Sequence, residues 1–112
     1  MNQNDPPTEH ILACLSSSPS NAKIVRTAAT MAKAFGGTFT ALYVRTPDSD
    51  QMGKEDCRRL QQHIRMAEQA GADISTIYGD DIPQQIAEFA RISGITKIVL
   101  GRSSVHRRHF WS

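Results

Sequence analysis

The stretch HILACLSSSPSNAKIVRTAATMAKAFGG, residues 10–37, decides how the chain folds. His10 to Leu15 is a short, mostly apolar run that ends at Ser16, Ser17, Ser18 and Pro19, the pattern of a strand buried on both faces. Ser18 before Pro19 predicts an N-cap with proline in the first helical position. Ile24, Ala28, Met31, Ala32 and Phe35 then recur at helical spacing until Gly36 and Gly37 stop the pattern. The run therefore reads as strand, serine-rich turn and amphipathic helix.

The same alternation continues to the end of the chain. TFTALYV, Thr38 to Val44, is rich in β-branched and aromatic residues and precedes a polar loop holding Pro47, Asp48, Ser49 and Asp50. From Gly53 to Ala70 the residues Cys57, Leu60, Ile64 and Ala67 fall on one helical face, with Glu55 and Asp56 in the first turn and Gly71 at the end. Asp73 to Tyr78 alternates apolar and polar residues, as a strand at a sheet edge does. Asp80 or Asp81 caps a helix entered through Pro83, with Ile86, Phe89 and Ala90 inward and Gly94 just past its end. Thr96 to Leu100 is a fourth strand leading into Gly101. Strands alternating with helices of this length imply right-handed crossovers and an open parallel sheet, an α/β fold with helices on both faces.

At 112 residues, 39% hydrophobic and 21% charged, the chain has the size and composition of one soluble domain. No apolar run approaches the roughly 20 residues that cross a bilayer. Met1 to Glu9 is polar, holds Pro6 and Pro7, and lacks the basic and apolar regions of a signal peptide, so it reads as a disordered lead-in to a cytoplasmic domain over residues 10–105. Residues 106–112 form a basic and aromatic tail. Cys14 and Cys57 lack the spacing of a metal knuckle or redox pair and are expected as free thiols in a reducing compartment. The net charge of +2 does not argue for nucleic acid: Lys97, Arg102, Arg107 and Arg108 gather near one end, with acidic helices elsewhere.

In open parallel sheets ligands bind beyond the carboxyl ends of the strands, where strand order reverses. With the first strand flanked by the second and fourth, three segments border that point: Leu15 to Ser20, Val44 to Pro47 and Gly101 to Ser104. The serine turn runs into a helix N-terminus, where free N–H groups, hydroxyls and the helix dipole favour a phosphate, although a helix cap and an ordinary turn would look similar. Gly101, Arg102, Ser103 and Ser104 join a backbone that allows close approach to an arginine and two hydroxyls, against the plainer reading of an exit turn. The chain has neither a phosphate-loop signature nor G-x-G-x-x-G. No nucleophile can be paired with a base, so the domain reads as non-catalytic. His106 and His109 alone do not make up a metal ligand set and read as part of a solvated tail.

Read together, ILACLSSSPSNAKIVRTA, FTALYV, IRMAEQAGADISTIYGDDIPQQIAEFAR and ITKIVLGRSS resemble the universal stress protein superfamily, and more closely its domain in KdpD-type potassium sensor histidine kinases. The resemblance implies a Rossmann-like, adenine nucleotide alpha hydrolase-like three-layer sandwich, here with four strands and the fifth absent or reduced to Val105 to Ser112. It also implies that the chain is a piece of a larger kinase anchored in the inner membrane, with no direct membrane contact by this segment. Members of that subset that bind cyclic di-AMP carry S-x-S, then twenty residues, then F-T-A-x-Y; Ser16-Ser17-Ser18 and Phe39-Thr40-Ala41-Leu42-Tyr43 match it.

By that resemblance Ser16, Ser18, Phe39, Thr40, Ala41 and Tyr43 are the ligand-binding candidates, beside Gly101, Arg102, Ser103 and Ser104. The expected function is sensing of cyclic di-AMP to control potassium-uptake genes through the parent kinase. ATP binding is the alternative, but the G-x-x-G followed by G-[ST] of ATP-binding relatives is missing after the fourth strand. A third reading is a ligand-free interaction module using Arg102 to Trp111 against the rest of the kinase. Homodimerisation is common in the superfamily and stays open here.

Overall fold

The computed structural model describes residues 8–101. Its elements are β1 (His10–Cys14), α1 (Asn21–Phe35), β2 (Thr38–Arg45), α2 (Lys54–Gln69), β3 (Asp73–Tyr78), α3 (Ile82–Ser93) and β4 (Lys97–Val99), with a single 3-10 turn at Ser49–Gln51. The four strands form one parallel sheet in the order β3-β2-β1-β4. Ile11 of β1 aligns with Phe39 of β2 and Lys97 of β4, so β1 and β2 are central and β3 is an edge, as its alternating sequence predicts. This is the α/β architecture expected from the sequence.

Alternate strand residues face two different layers. Ile11, Ala13, Leu15, Phe39 and Ala41 pack with Val25, Ala28 and Ala32 of α1 and with Leu60 and Ala67 of α2. Leu12, Leu42 and Val44 face the opposite side, where Ile86 and Phe89 of α3 close over them. Ile11, Leu12, Leu42 and Val25 are fully enclosed, which stabilises the sheet by about 1.5–3 kcal/mol for each side chain. The second layer is thinner, since no residue of α3 is buried.

Several local expectations shift. Pro19 does not open α1: the Asn21 N–H donates to the Ser18 carbonyl at 2.9 Å and closes a tight turn first, so the α-helix starts at Asn21. The buried face of α1 is Asn21, Val25, Ala28 and Ala32, while Phe35 is half exposed with the Lys97 Nζ 5.3 Å from its ring centre. Asn21 is tied by its side chain to the end of β1, and that anchor sets the rotation of the helix. In α2 the buried face is Leu60, His63 and Ala67, and Cys57 is exposed.

The caps of α3 agree with the sequence: the Asp81 carboxylate accepts from the Gln84 N–H, and Gly94 takes the left-handed conformation at the end. Glu9 is not part of a loose lead-in, because its carbonyl accepts from the Thr38 N–H at 2.9 Å and its carboxylate from the Thr96 hydroxyl at 2.6 Å. Residues 1–7, the tail 106–112 and the proposed fifth-strand remnant lie outside the described residues. Among the described residues no helix is long and apolar enough to cross a membrane.

Candidate functional site

A crevice of about 550 Å³ lies beyond the carboxyl ends of β1, β2 and β4. Its walls are the turn after β1, the end of β2 with the loop that follows it, Leu100 and Gly101 after β4, and Ile82 and Ile86 at the start of α3. β1 sends its crossover to β2 on one side, whereas β3 sends its crossover past β2 and β1 to β4 on the other, so strand order reverses here. The volume falls in the range of small-molecule sites, roughly 300–1,000 Å³.

The turn after β1 is held from behind at several backbone groups. Asn21, buried in the first turn of α1, accepts from the Ser16 N–H at 3.1 Å and donates from Nδ2 to the Cys14 carbonyl at 2.9 Å. The Leu15 N–H donates to the Leu42 carbonyl at 2.8 Å, tying the turn to β2. From α2, His63 Nδ1 lies 2.8 Å from the Ser16 carbonyl and Arg59 Nη1 donates to the Ser17 carbonyl at 3.0 Å. Within the turn the Ser16 hydroxyl accepts from the Ser18 N–H at 3.2 Å, and the Ser18 and Ser20 hydroxyls are 3.0 Å apart.

The loop after β2 is knotted upon itself. Thr46 and Ser49 exchange three hydrogen bonds: Thr46 N–H to Ser49 Oγ, Ser49 N–H to Thr46 Oγ1, and Ser49 O–H to the Thr46 carbonyl. Of the described residues lining the crevice, Asp48 alone carries a formal charge. A phosphate placed there would be met by hydroxyls and backbone N–H groups, not by a lysine or arginine of the described residues. Burial pushes the Cys14 thiol up to about 12, so this wall is a neutral thiol at physiological pH and not a nucleophile. Among the described residues no group of three His, Cys, Asp or Glu side chains could hold a metal ion.

The candidates read from the sequence separate in the structure. Ser16, Ser18, Tyr43 and Gly101 line the one crevice. Phe39 and Ala41 are buried in the first core and Thr40 lies midway along β2 opposite Leu12, so these three do not line it. Arg102, Ser103 and Ser104 lie outside the described residues, as do His106 and His109. Sequence reasoning missed Asn21, Arg59 and His63. The signal for His63 was present: it is the polar member of an apolar stripe, three residues after Leu60 and four before Ala67.

A model of the universal stress protein family matches residues 7–110. The sensor protein KdpD of Clostridium acetobutylicum is 37% identical over 110 residues, 94% of this chain, and that of Escherichia coli K12 is 30% identical over 97 residues, 87% of this chain. The chain spans 12% and 11% of the lengths of these curated relatives. Among solved structures, a universal stress family protein from Burkholderia pseudomallei superposes with a TM-score of 0.67 at 22% identity, covering 92% of this chain and 88% of that one. A universal stress protein in complex with cAMP gives 0.62 at 18% identity, with coverages of 83% and 72%. One from Archaeoglobus fulgidus in complex with dAMP gives 0.55 at 21% identity, with coverages of 85% and 81%. These likenesses establish the fold.

Proposed function

The chain belongs to the universal stress protein family, and on that premise we propose that its crevice is an adenine-nucleotide receptor site whose ligand is cyclic di-AMP. The observation that carries this reading is the meeting of Ser16, Ser18 and Tyr43 on one crevice, because the two parts of the serine and F-T-A-x-Y pattern are far apart in sequence. Hydroxyls and N–H groups of the serine turn would take phosphate, while Tyr43, Ile24 and Ile86 supply apolar surface for a base. The domain would act without chemistry of its own, as the cytoplasmic, nucleotide-sensing part of a membrane-anchored sensor kinase that controls potassium-uptake genes. Its partners would be the remaining domains of that kinase.

Titration calorimetry with cyclic di-AMP, ATP and cyclic di-GMP tests this directly. Heat with cyclic di-AMP alone is expected, and its absence would sink the reading. A second reading, a site for an adenine mononucleotide, is favoured by the cAMP and dAMP complexes of structurally similar proteins. Saturation by ATP or AMP with no heat from cyclic di-AMP would select it.

A further inference from the structure

Arg59 and His63 stand one helical turn apart on α2, and both reach out of that helix to the same turn after β1. His63 is buried, an uncommon place for an imidazole on an otherwise apolar stripe, and its Nδ1 meets the Ser16 carbonyl at 2.8 Å. A carbonyl oxygen only accepts, so Nδ1 carries the proton and donates. Arg59 Nη1 donates to the Ser17 carbonyl at 3.0 Å and to the Asp56 carboxylate at 3.1 Å, so Asp56 fixes the guanidinium from within the same helix. No residue of α2 lines the crevice.

Peptide geometry turns these two contacts into a statement about the other side of the turn. The described chain has no cis peptide bonds, and in a trans peptide the carbonyl and the N–H point in opposite directions. Drawing the Ser16 and Ser17 carbonyls onto α2 therefore aims the Ser17 and Ser18 N–H groups away from it, on the side where Ser17 and Ser18 line the crevice. The Ser18 N–H is met by the Ser16 hydroxyl, and among the described residues the Ser17 N–H has no hydrogen-bond partner. Successive N–H groups held to one side make an anion-binding concavity.

We infer that Arg59 and His63 are positioning residues, which hold the Ser16–Ser17 and Ser17–Ser18 peptide planes so that the Ser17 N–H faces an anionic ligand in the crevice, with the Ser18 N–H on the Ser16 hydroxyl beside it. The inference rests on the nucleotide-site reading above for its ligand, but not for its geometry. It also makes α2 the element through which ligand occupancy is felt on the outer face of the domain. A ligand that pulls on the Ser17 N–H pulls through one peptide plane on the His63 contact to the Ser16 carbonyl.

The test uses the full 112-residue chain with Arg59→Met, Arg59→Lys, His63→Leu and His63→Asn. Two readouts are taken: the Kd for cyclic di-AMP by calorimetry, and the amide proton shifts of Ser17 and Ser18 in the free chain by NMR. Arg59→Met and His63→Leu are expected to raise the Kd roughly tenfold, as loss of one positioned donor would. Arg59→Lys and His63→Asn retain a donor and are expected to restore the Kd to within about threefold of the starting chain. Both amide shifts should move in the first pair and return in the second. If His63→Leu unfolds the chain, Arg59→Met decides alone, because Arg59 is partly exposed and outside the core. Unchanged Kd and unchanged amide shifts in Arg59→Met would overturn the inference. If the starting chain binds no nucleotide, the reading of the crevice fails, and the amide shifts still decide whether Arg59 and His63 set the turn.

Discussion

The turn after β1 and the loop after β2 bound the same crevice, and they use their polar groups in opposite ways. In the first, Asn21, Arg59 and His63 take the backbone groups from behind and the serine hydroxyls bond within the turn, which leaves the Ser17 N–H without a partner among the described residues. In the second, Thr46 and Ser49 satisfy each other, so that both of their N–H groups are taken as well. On the proposed reading, the difference separates a surface that receives the ligand from a wall that stays rigid. It also shows that a serine or threonine beside a cavity says little until its existing partner is known.

The sharpest way to break this comparison is Asn21→Ala. It removes a buried amide that satisfies both the Cys14 carbonyl and the Ser16 N–H, and it is expected to destabilise the domain by about 2–3 kcal/mol. Urea unfolding with an unchanged m-value would measure the loss, and the nucleotide Kd of the remaining folded chain should rise as well. A loss below about 0.5 kcal/mol would mean that the turn is not held from behind in this way.

The next test divides the F-T-A-x-Y segment itself. Ser18 is exposed on the crevice, so Ser18→Ala should weaken cyclic di-AMP binding roughly tenfold, about 1.4 kcal/mol, with little change in thermal stability. Thr40→Val, placed along β2 away from the crevice, should leave the Kd within about twofold. Calorimetry on both variants checks the pair. A reversed order would move the site down β2 and away from the serine turn.

Much of this was legible in the residues. The buried strand from His10, the stop at Gly36, the edge character of Asp73 to Tyr78 and the Asp81 cap are local patterns, and local patterns survive folding. The role of Asn21 was not legible, because its partners are the end of a strand and a turn that must already be in place. His63 stood out only as an irregularity in an apolar stripe, since its Ser16 partner lies 47 residues away. Phe39 and Ala41 share a strand face with Tyr43, but they sit lower along β2 in the first core, and only the carboxyl end of the strand, Leu42 to Val44, reaches the crevice.

A smaller effect concerns the strand end just beneath the turn. The Cys14 thiol is raised from 9.0 to about 12 by burial. Because the folded pKa lies above the unfolded one, the folded state holds the proton longer, and stability is complete below about pH 9 and falls as pH rises toward 12. At about pH 9.5 the loss relative to neutral pH should be about 0.8 kcal/mol, and Cys14→Ala should remove that part of the slope. Urea midpoints between pH 7 and 9.5 for both chains would show it. An equal slope in both would place the Cys14 thiol in water.

The smallest effect tests the rigid wall. Ser49→Ala deletes two of the three hydrogen bonds of the Thr46 knot, those made by the Ser49 hydroxyl, and leaves the Ser49 N–H on Thr46 Oγ1. The site is partly open to water, which replaces the lost partners, so the expected cost is only about 0.5 kcal/mol. The nucleotide Kd should stay within about twofold, because the hydroxyl removed was facing Thr46 and not the ligand. If binding instead fell as far as in Ser18→Ala, the loop after β2 would be a second receiving surface, and the asymmetry between the two walls would be lost. Calorimetry on Ser49→Ala beside Ser18→Ala makes that distinction with two proteins and one titrant.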